Sequence, residues 1–170
     1  MGILSGNPKE EPMHYGEVYS VWMHLNAAKA CVAAYETMLN HAGDEDLKNL
    51  ISDILEEGTK EEIAEIENLL KDHGVGLPPT PPARTEACIE NIPPGARFLD
   101  PEIANKISMD LAAGLVGCST VMGQCIREDI AAIFARFHAK KAQFSTKCLR
   151  LLKDKGWLVP PPLHIDQSDC

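Results

Sequence analysis

The chain has 170 residues, 45% hydrophobic and 24% charged, which is enough for one domain with a real core. Its net charge of −9 and isoelectric point near 5.1 exclude nucleic acid as the partner, because phosphate binding needs clustered Lys and Arg. The longest uncharged run, Leu111 to Ile126, falls short of the roughly 20 residues of a membrane span, and Ser119, Thr120 and Gln124 interrupt it.

Met1 to Gly6 is too short an apolar patch for a secretory signal, and Gly6 stands where myristoylation requires Ser or Thr. Residues 1–13 therefore read as an arm. A first helix runs from Tyr15 to about Ala42, with Val18, Val21, Leu25, Ala28, Val32, Tyr35 and Leu39 as its apolar stripe. Gly43 ends it and Asp44 is the expected N-cap of a second helix, which carries Leu47, Ile51, Ile54, Leu55, Ile66 and Leu69. That helix closes at Lys71-Asp72-His73-Gly74, basic side chains followed by a C′ glycine.

The stretch 74–101, GVGLPPTPPARTEACIENIPPGARFLDP, holds seven of the twelve prolines and separates two helical halves. Asp100-Pro101-Glu102 then starts a third helix as N-cap, first-turn proline and acid, with Ile103, Ile107, Leu111, Leu115, Cys118 and Val121 facing inward. It ends somewhere in Met122-Gly123-Gln124. A fourth helix runs to Lys155, burying Ile130, Ile133, Phe134, Phe137, Phe144, Cys148 and Leu151, and is stopped by Gly156 and Pro160-Pro161-Pro162.

An internal repeat supports this division. Glu45-Asp46-Leu47 matches Glu128-Asp129-Ile130, and Leu69-Leu70-Lys71-Asp72-His73-Gly74 matches Leu151-Leu152-Lys153-Asp154-Lys155-Gly156; the offset is 83 residues at the start and 82 at the end. The reading is an all-α, four-helix bundle in one domain: hairpin one at about 15–73, a connector at about 74–101, hairpin two at about 102–156, and a proline-rich tail. A helix of about 28 residues is roughly 42 Å long. At roughly 3.1 Å per residue the connector can span that length, so the second and third helices can be parallel, the ferritin-like arrangement with one long crossover. Ile89, Ile92, Phe98 and Leu99 are its candidate packing groups.

Arg127-x-Asp129 at the start of the last helix, Gly156-Trp157-Leu158 with Pro160-Pro161 after it, and the central Leu77-Pro78-Pro79-Thr80-Pro81-Pro82 carry a family likeness. Across residues 14–162 the chain resembles a domain-of-unknown-function family of spore-forming Gram-positive bacteria. That family is grouped with ferritin-like bundles and is similar to spore coat protein F. Many members hold two such domains in tandem; this chain holds one. The resemblance implies a fold and spore-structure proteins as partners, and no mechanism.

Ferritin-like bundles often bind two metals with a Glu-x-x-His pair from each of two helices. The only such pair here is Glu11-Pro12-Met13-His14, in the arm, so a di-iron site of that kind is not expected. A mononuclear Zn or Fe site survives on heights along the bundle. Measured from Gly43, His24 lies opposite about Glu62, and the same height in the second hairpin falls near Ser119 and Asp129. Glu62 interrupts an apolar stripe, and a carboxylate buried there must be paired, hydrogen-bonded or metal-bound. His24, Glu62 and Asp129 are thus the first metal candidates; Asp110 and His138, at a second height, are weaker. The blander alternative pairs Glu62 with Arg127 or a surface lysine and leaves His138 a core histidine.

Arg127 and Asp129 also have a structural reading, in which Asp129 meets the first-turn N–H groups and Arg127 reaches a carboxylate on the first or second helix. The six cysteines (31, 88, 118, 125, 148 and 170) form no CxxC pair, so we expect reduced thiols in a cytoplasmic protein. Gly114, Gly117 and Gly123 lack the strand that a phosphate loop requires. The third helix is apolar or small on every side from Leu111 to Met122, which suits a homodimer through Ala112, Ala113, Gly114 and Gly117 or complete burial within one chain. A structural or interaction protein without chemistry of its own is the main reading. A metal-binding protein is the alternative, and an enzyme of another type comes last.

Overall fold

His14 opens the first helix, α1 (Tyr15–His41), in this computed structural model, which describes residues 11–164. The imidazole Nδ1 accepts from the Gly16 and Glu17 N–H groups, while Glu17 returns a bond to the His14 N–H at 3.0 Å. That reciprocal pattern satisfies orphan donors of the first turn and fixes the helix start. His14 is therefore a cap. Its Nε2–H donates to the Gln124 carbonyl at 3.1 Å.

The second helix, α2, is one rod over 45–72 with three parts: Glu45–Asp53, a π-helical segment Ile54–Thr59, and Lys60–Asp72. Asp44 caps it, accepting from the Leu47 N–H at 3.1 Å. The Lys60 N–H bonds the Leu55 carbonyl five residues back, and the Thr59 hydroxyl closes on the Ile54 carbonyl at 3.1 Å. The shift in repeat offset from 83 to 82 makes α2 one residue longer than its equivalent, and the π turn is where such a residue is taken up. α3 (Asp100–Gln124) and α4 (Glu128–Asp154) complete the set. The equivalent helices end alike. Gly74 and Gly156 lie at φ 68° and 69°, with Val75 N–H on Leu70 and Trp157 N–H on Leu152.

Asp44→Ala should cost about 1 kcal/mol of stability as a lost cap, more if the Lys155 ion pair at 2.7 Å also contributes. A urea midpoint unchanged from wild type would show that the cap is not made.

Between α2 and α3 the chain climbs the outer face of α1. Trp22 Nε1–H donates to the Gly76 carbonyl at 2.8 Å, and Lys29 Nζ to the Pro78 carbonyl at 2.9 Å. Glu36 accepts from the Arg84 N–H at 2.8 Å, Asn40 holds Thr85 and Ala87, and His41 Nδ1 accepts from the Phe98 N–H at 3.1 Å. These anchors rise in step with the connector, so α3 starts where α1 ends. The holding force differs from the sequence expectation. Phe98 and Leu99 are 51% and 62% exposed, and polar side chains of α1 satisfy the connector's backbone groups instead. Asp100 is likewise not the N-cap. Leu99 holds that position, while Asp100 Oδ1 accepts the Gly43 N–H at 2.8 Å and joins the two helical hairpins.

α1 packs beside α2 and α3, and α4 packs beside the same two from the other side. The apolar core is split into two clusters. One, toward the α1 C-terminus, contains Tyr35, Leu47, Ile51, Ile103, Ile107 and Leu152, with Trp157 packed on it. The other contains Val21, Leu25, Ile66, Leu70, Cys118, Ile130 and Phe134. The level between them holds Gly58, Glu62, Gly114, Gly117 and Lys141, and Glu62 is buried there. No helix among the described residues is long and apolar enough to cross a membrane. The expectations for the first ten residues and for Cys170 lie outside the described residues; the other five cysteines are free thiols.

Candidate functional site in the bundle core

His24 on α1 and Glu62 on α2 meet at this middle level. Glu62 is 3% exposed, and its Oε1 accepts a bond from the His24 Nε2–H. Its Oε2 accepts from the Lys141 ammonium of α4. Burial by itself pushes the Glu62 carboxyl up, but the His24 hydrogen bond and the Lys141 charge outweigh it and hold the group below the usual carboxylate range. The edge of the His24 ring meets Phe134, centroids 5.0 Å apart at 84°, which fixes the imidazole orientation. A ring nitrogen of His24, a carboxylate oxygen of Glu62 and the Cys118 Sγ all lie within 4.8 Å of one another. Burial pushes the Cys118 thiol up to about 11, so it stands protonated beside the pair.

A cavity of about 680 Å³ opens onto His24, Glu62 and Lys141. Met23, Gly117 and Thr120 line it between α1 and α3, and Glu61, Glu65 and Arg136 between α2 and α4. Gly114 shapes its floor. A Cβ there would stand 2.9 Å from Lys141 Cε, so any other residue would make the lysine stem shift from its path across α3 to Glu62. Gly→Ala inside a helix ordinarily gains about 1 kcal/mol. Gly114→Ala should forfeit that gain and lose about 1–2 kcal/mol by pushing Lys141 aside, whereas Gly123→Ala, with open space around it, should be neutral or stabilising. Equal denaturation midpoints for the two variants would refute the crossing.

The other candidates are elsewhere. Asp129 sits in the first turn of α4, where Arg127 Nε and Nη2 hold its two oxygens at 3.0 and 2.6 Å. Asp129 lies farther from His24 than equal heights along the bundle predict. The turn at 125–127 means that the level of Gly117 reaches α4 near Phe134, about one and a half turns beyond Asp129. Asp110 borders the cavity but pairs with Lys106 on its own helix, while His138 is partly exposed on α4. The blander expectation of a lysine on Glu62 is met by Lys141, which the sequence does not single out by number, and Cys118 is expected only as an inward core residue. Both read as generic positions, a surface lysine and an inward thiol, and only α3 and α4 packing against α1 brings them to Glu62.

The expectation for Arg127 also needs correction. Its guanidinium does not reach a carboxylate on another helix; the side chain is 2% exposed and turns back to Asp129. At the N-cap, φ −87° and ψ 117° place it outside helical geometry, so the rule that neighbours two apart diverge does not apply. Its Nη1 donates to the Glu11 carbonyl at 3.0 Å and to His73 Nε2. Because arginine can only donate, His73 must carry its proton on Nδ1, which bonds the Leu69 carbonyl at 2.8 Å. Glu17 Oε1 accepts the N–H groups of Ile126 and Arg127 at 2.8 and 2.9 Å, tying α1 to the α3–α4 turn.

The pattern for a protein of unknown function, DUF3231, matches residues 1–169. The chain belongs to the DUF3231 family. This DUF3231 chain is 53% identical over 167 residues to the uncharacterized protein YvdQ of Bacillus subtilis (strain 168), covering 98% of both chains. It is also 53% identical to a Bacillus halodurans C-125 protein provisionally named a spore coat protein; that crystal structure superposes with a TM-score of 0.92 over 94% of this chain and all of the other. A conserved hypothetical protein, Rv2844, of Mycobacterium tuberculosis shares the fold alone, at 13% identity and a TM-score of 0.66 over 82% of the DUF3231 chain and 99% of its own.

Proposed function

We propose that the protein is a structural or interaction protein of the bacterial spore, built on a ferritin-like bundle and working by binding rather than catalysis. The observation that carries this is the full-length, 53% identical relative provisionally named a spore coat protein. The ferritin-like reading is supported by the climb of residues 74–99 along α1, the course expected of one long crossover between parallel α2 and α3. Fractionating spores of the producing cells and probing coat extracts with antibody tests the assignment. Recovery in the coat fraction supports it, and recovery only from vegetative cells overturns it.

A homodimer through α3 belongs to the same reading. Met109 and Val116 are 70% and 67% exposed, with Ala112 and Ala113 exposed between them. Light scattering should give a dimer that Val116→Glu converts to monomer; monomer alone at high micromolar concentration overturns it.

A second reading, a mononuclear metal in the bundle core, is favoured by one observation: His24 lies against the buried Glu62 carboxylate.

A further inference from the structure

We infer that His24, Glu62 and Cys118 together bind one zinc ion, with Lys141 as the counter-ion that the metal displaces. The inference rests on the second reading above and names its metal and third ligand. Three helices each contribute one donor of a different kind, nitrogen from α1, oxygen from α2 and sulfur from α3, and the three converge within 4.8 Å while mostly shielded from water. Borderline-soft Zn²⁺ takes this combination, whereas hard cations such as Mg²⁺ and Ca²⁺ prefer oxygen alone.

The surroundings are arranged for an ion rather than for apolar packing. The two core clusters meet at this level, Cys118 and Phe134 belonging to the second, and the π segment of α2 lies one turn before Glu62, a kind of irregularity often found at functional sites. Phe134 holds the His24 ring against rotation. The adjoining cavity supplies the route in for the metal and the room for a water as fourth ligand.

Charge accounts for Lys141. One thiolate and one carboxylate neutralise Zn²⁺, and the ammonium would then be in excess beside the ion. Without metal, Lys141 takes its place on Glu62 Oε2. Binding therefore breaks the Lys141–Glu62 ion pair and the His24–Glu62 hydrogen bond, requires the imidazole proton to sit on the ring nitrogen that does not ligate, sends the thiol proton to solvent, and moves the ammonium into the cavity.

Full-length untagged protein, purified without chelators, is dialysed against Zn²⁺ or Co²⁺; bound metal is counted and the cobalt spectrum read for sulfur ligation. One equivalent is expected, with a thiolate-to-cobalt absorption that Cys118→Ser abolishes and with no binding by His24→Ala. Lys141→Met should tighten binding by about tenfold, since it removes the competing charge. Circular dichroism of each metal-free variant keeps loss of binding separate from loss of fold. Cobalt bound without the sulfur band, or with a band that survives Cys118→Ser, overturns the assignment of Cys118 and leaves the metal reading standing. Unchanged affinity in Lys141→Met overturns the displacement. A folded wild-type chain that takes up no stoichiometric metal overturns both the inference and the reading beneath it.

Discussion

Glu62→Ala should lower the unfolding free energy by about 3–5 kcal/mol, the range for breaking a buried ion pair from one side. The loss has two parts. The Glu62 carboxylate disappears, and the Lys141 ammonium, whose side chain is only 19% exposed, and the His24 N–H are left without an acceptor. Most of the penalty lies with the stranded partners, so Glu62→Ala combined with Lys141→Met should recover a large share of it. Chemical denaturation of the three chains, followed by circular dichroism, measures this directly. A single variant within 1 kcal/mol of wild type would mean that the ion pair contributes nothing, since surface pairs lie in that range.

Arg127→Met should be of comparable severity, about 3–5 kcal/mol. The guanidinium is the largest fully buried side chain and holds three elements: Asp129 at the start of α4, His73 at the end of α2, and the Glu11 carbonyl ahead of α1. A lysine cannot replace it, because a point charge does not meet three acceptors in one plane. Arg127→Lys should therefore regain less than half of the loss, and full rescue would show that charge alone matters. The pair carries a pH signature. Arg127 holds the Asp129 carboxyl below its ordinary value of 3.8, so the stabilisation is complete above that pH and is lost as pH falls through the depressed value. The stability gap between wild type and Asp129→Asn should thus be open at pH 7 and shrink on acidification below pH 3.8. A gap that does not change with pH would contradict the pairing.

Both sites show where reading the chain succeeds and where it stops. His24 and Glu62 were legible together because helix length and the Gly43 turn fix heights within one hairpin, and because an acid interrupting an apolar stripe is informative. Asp129 was misplaced because the α3–α4 turn was uncertain by a few residues, and each residue of error moves a side chain 1.5 Å along the axis and about 100° around it. Arg127 was misjudged because helical geometry was applied to a residue that lies just outside the helix.

The one-residue slip in the internal repeat was visible in the sequence, but its meaning was not. It becomes a π turn only because Asp44 caps one end of α2 and the Gly74 turn fixes the other, so the extra residue has to be absorbed between them.

The sequence by itself determined the helices, most of their ends and the family. Periodicity, caps and C′ glycines are local, and local hydrogen bonding with apolar burial is enough to set them. Only the tertiary structure decided that the core parts into two clusters, that Gly114 admits Lys141, and that Cys118 joins His24 and Glu62. These depend on which faces of α3 and α4 turn toward α1 and α2, and that is set by packing the whole bundle at once. No single segment of the chain records it.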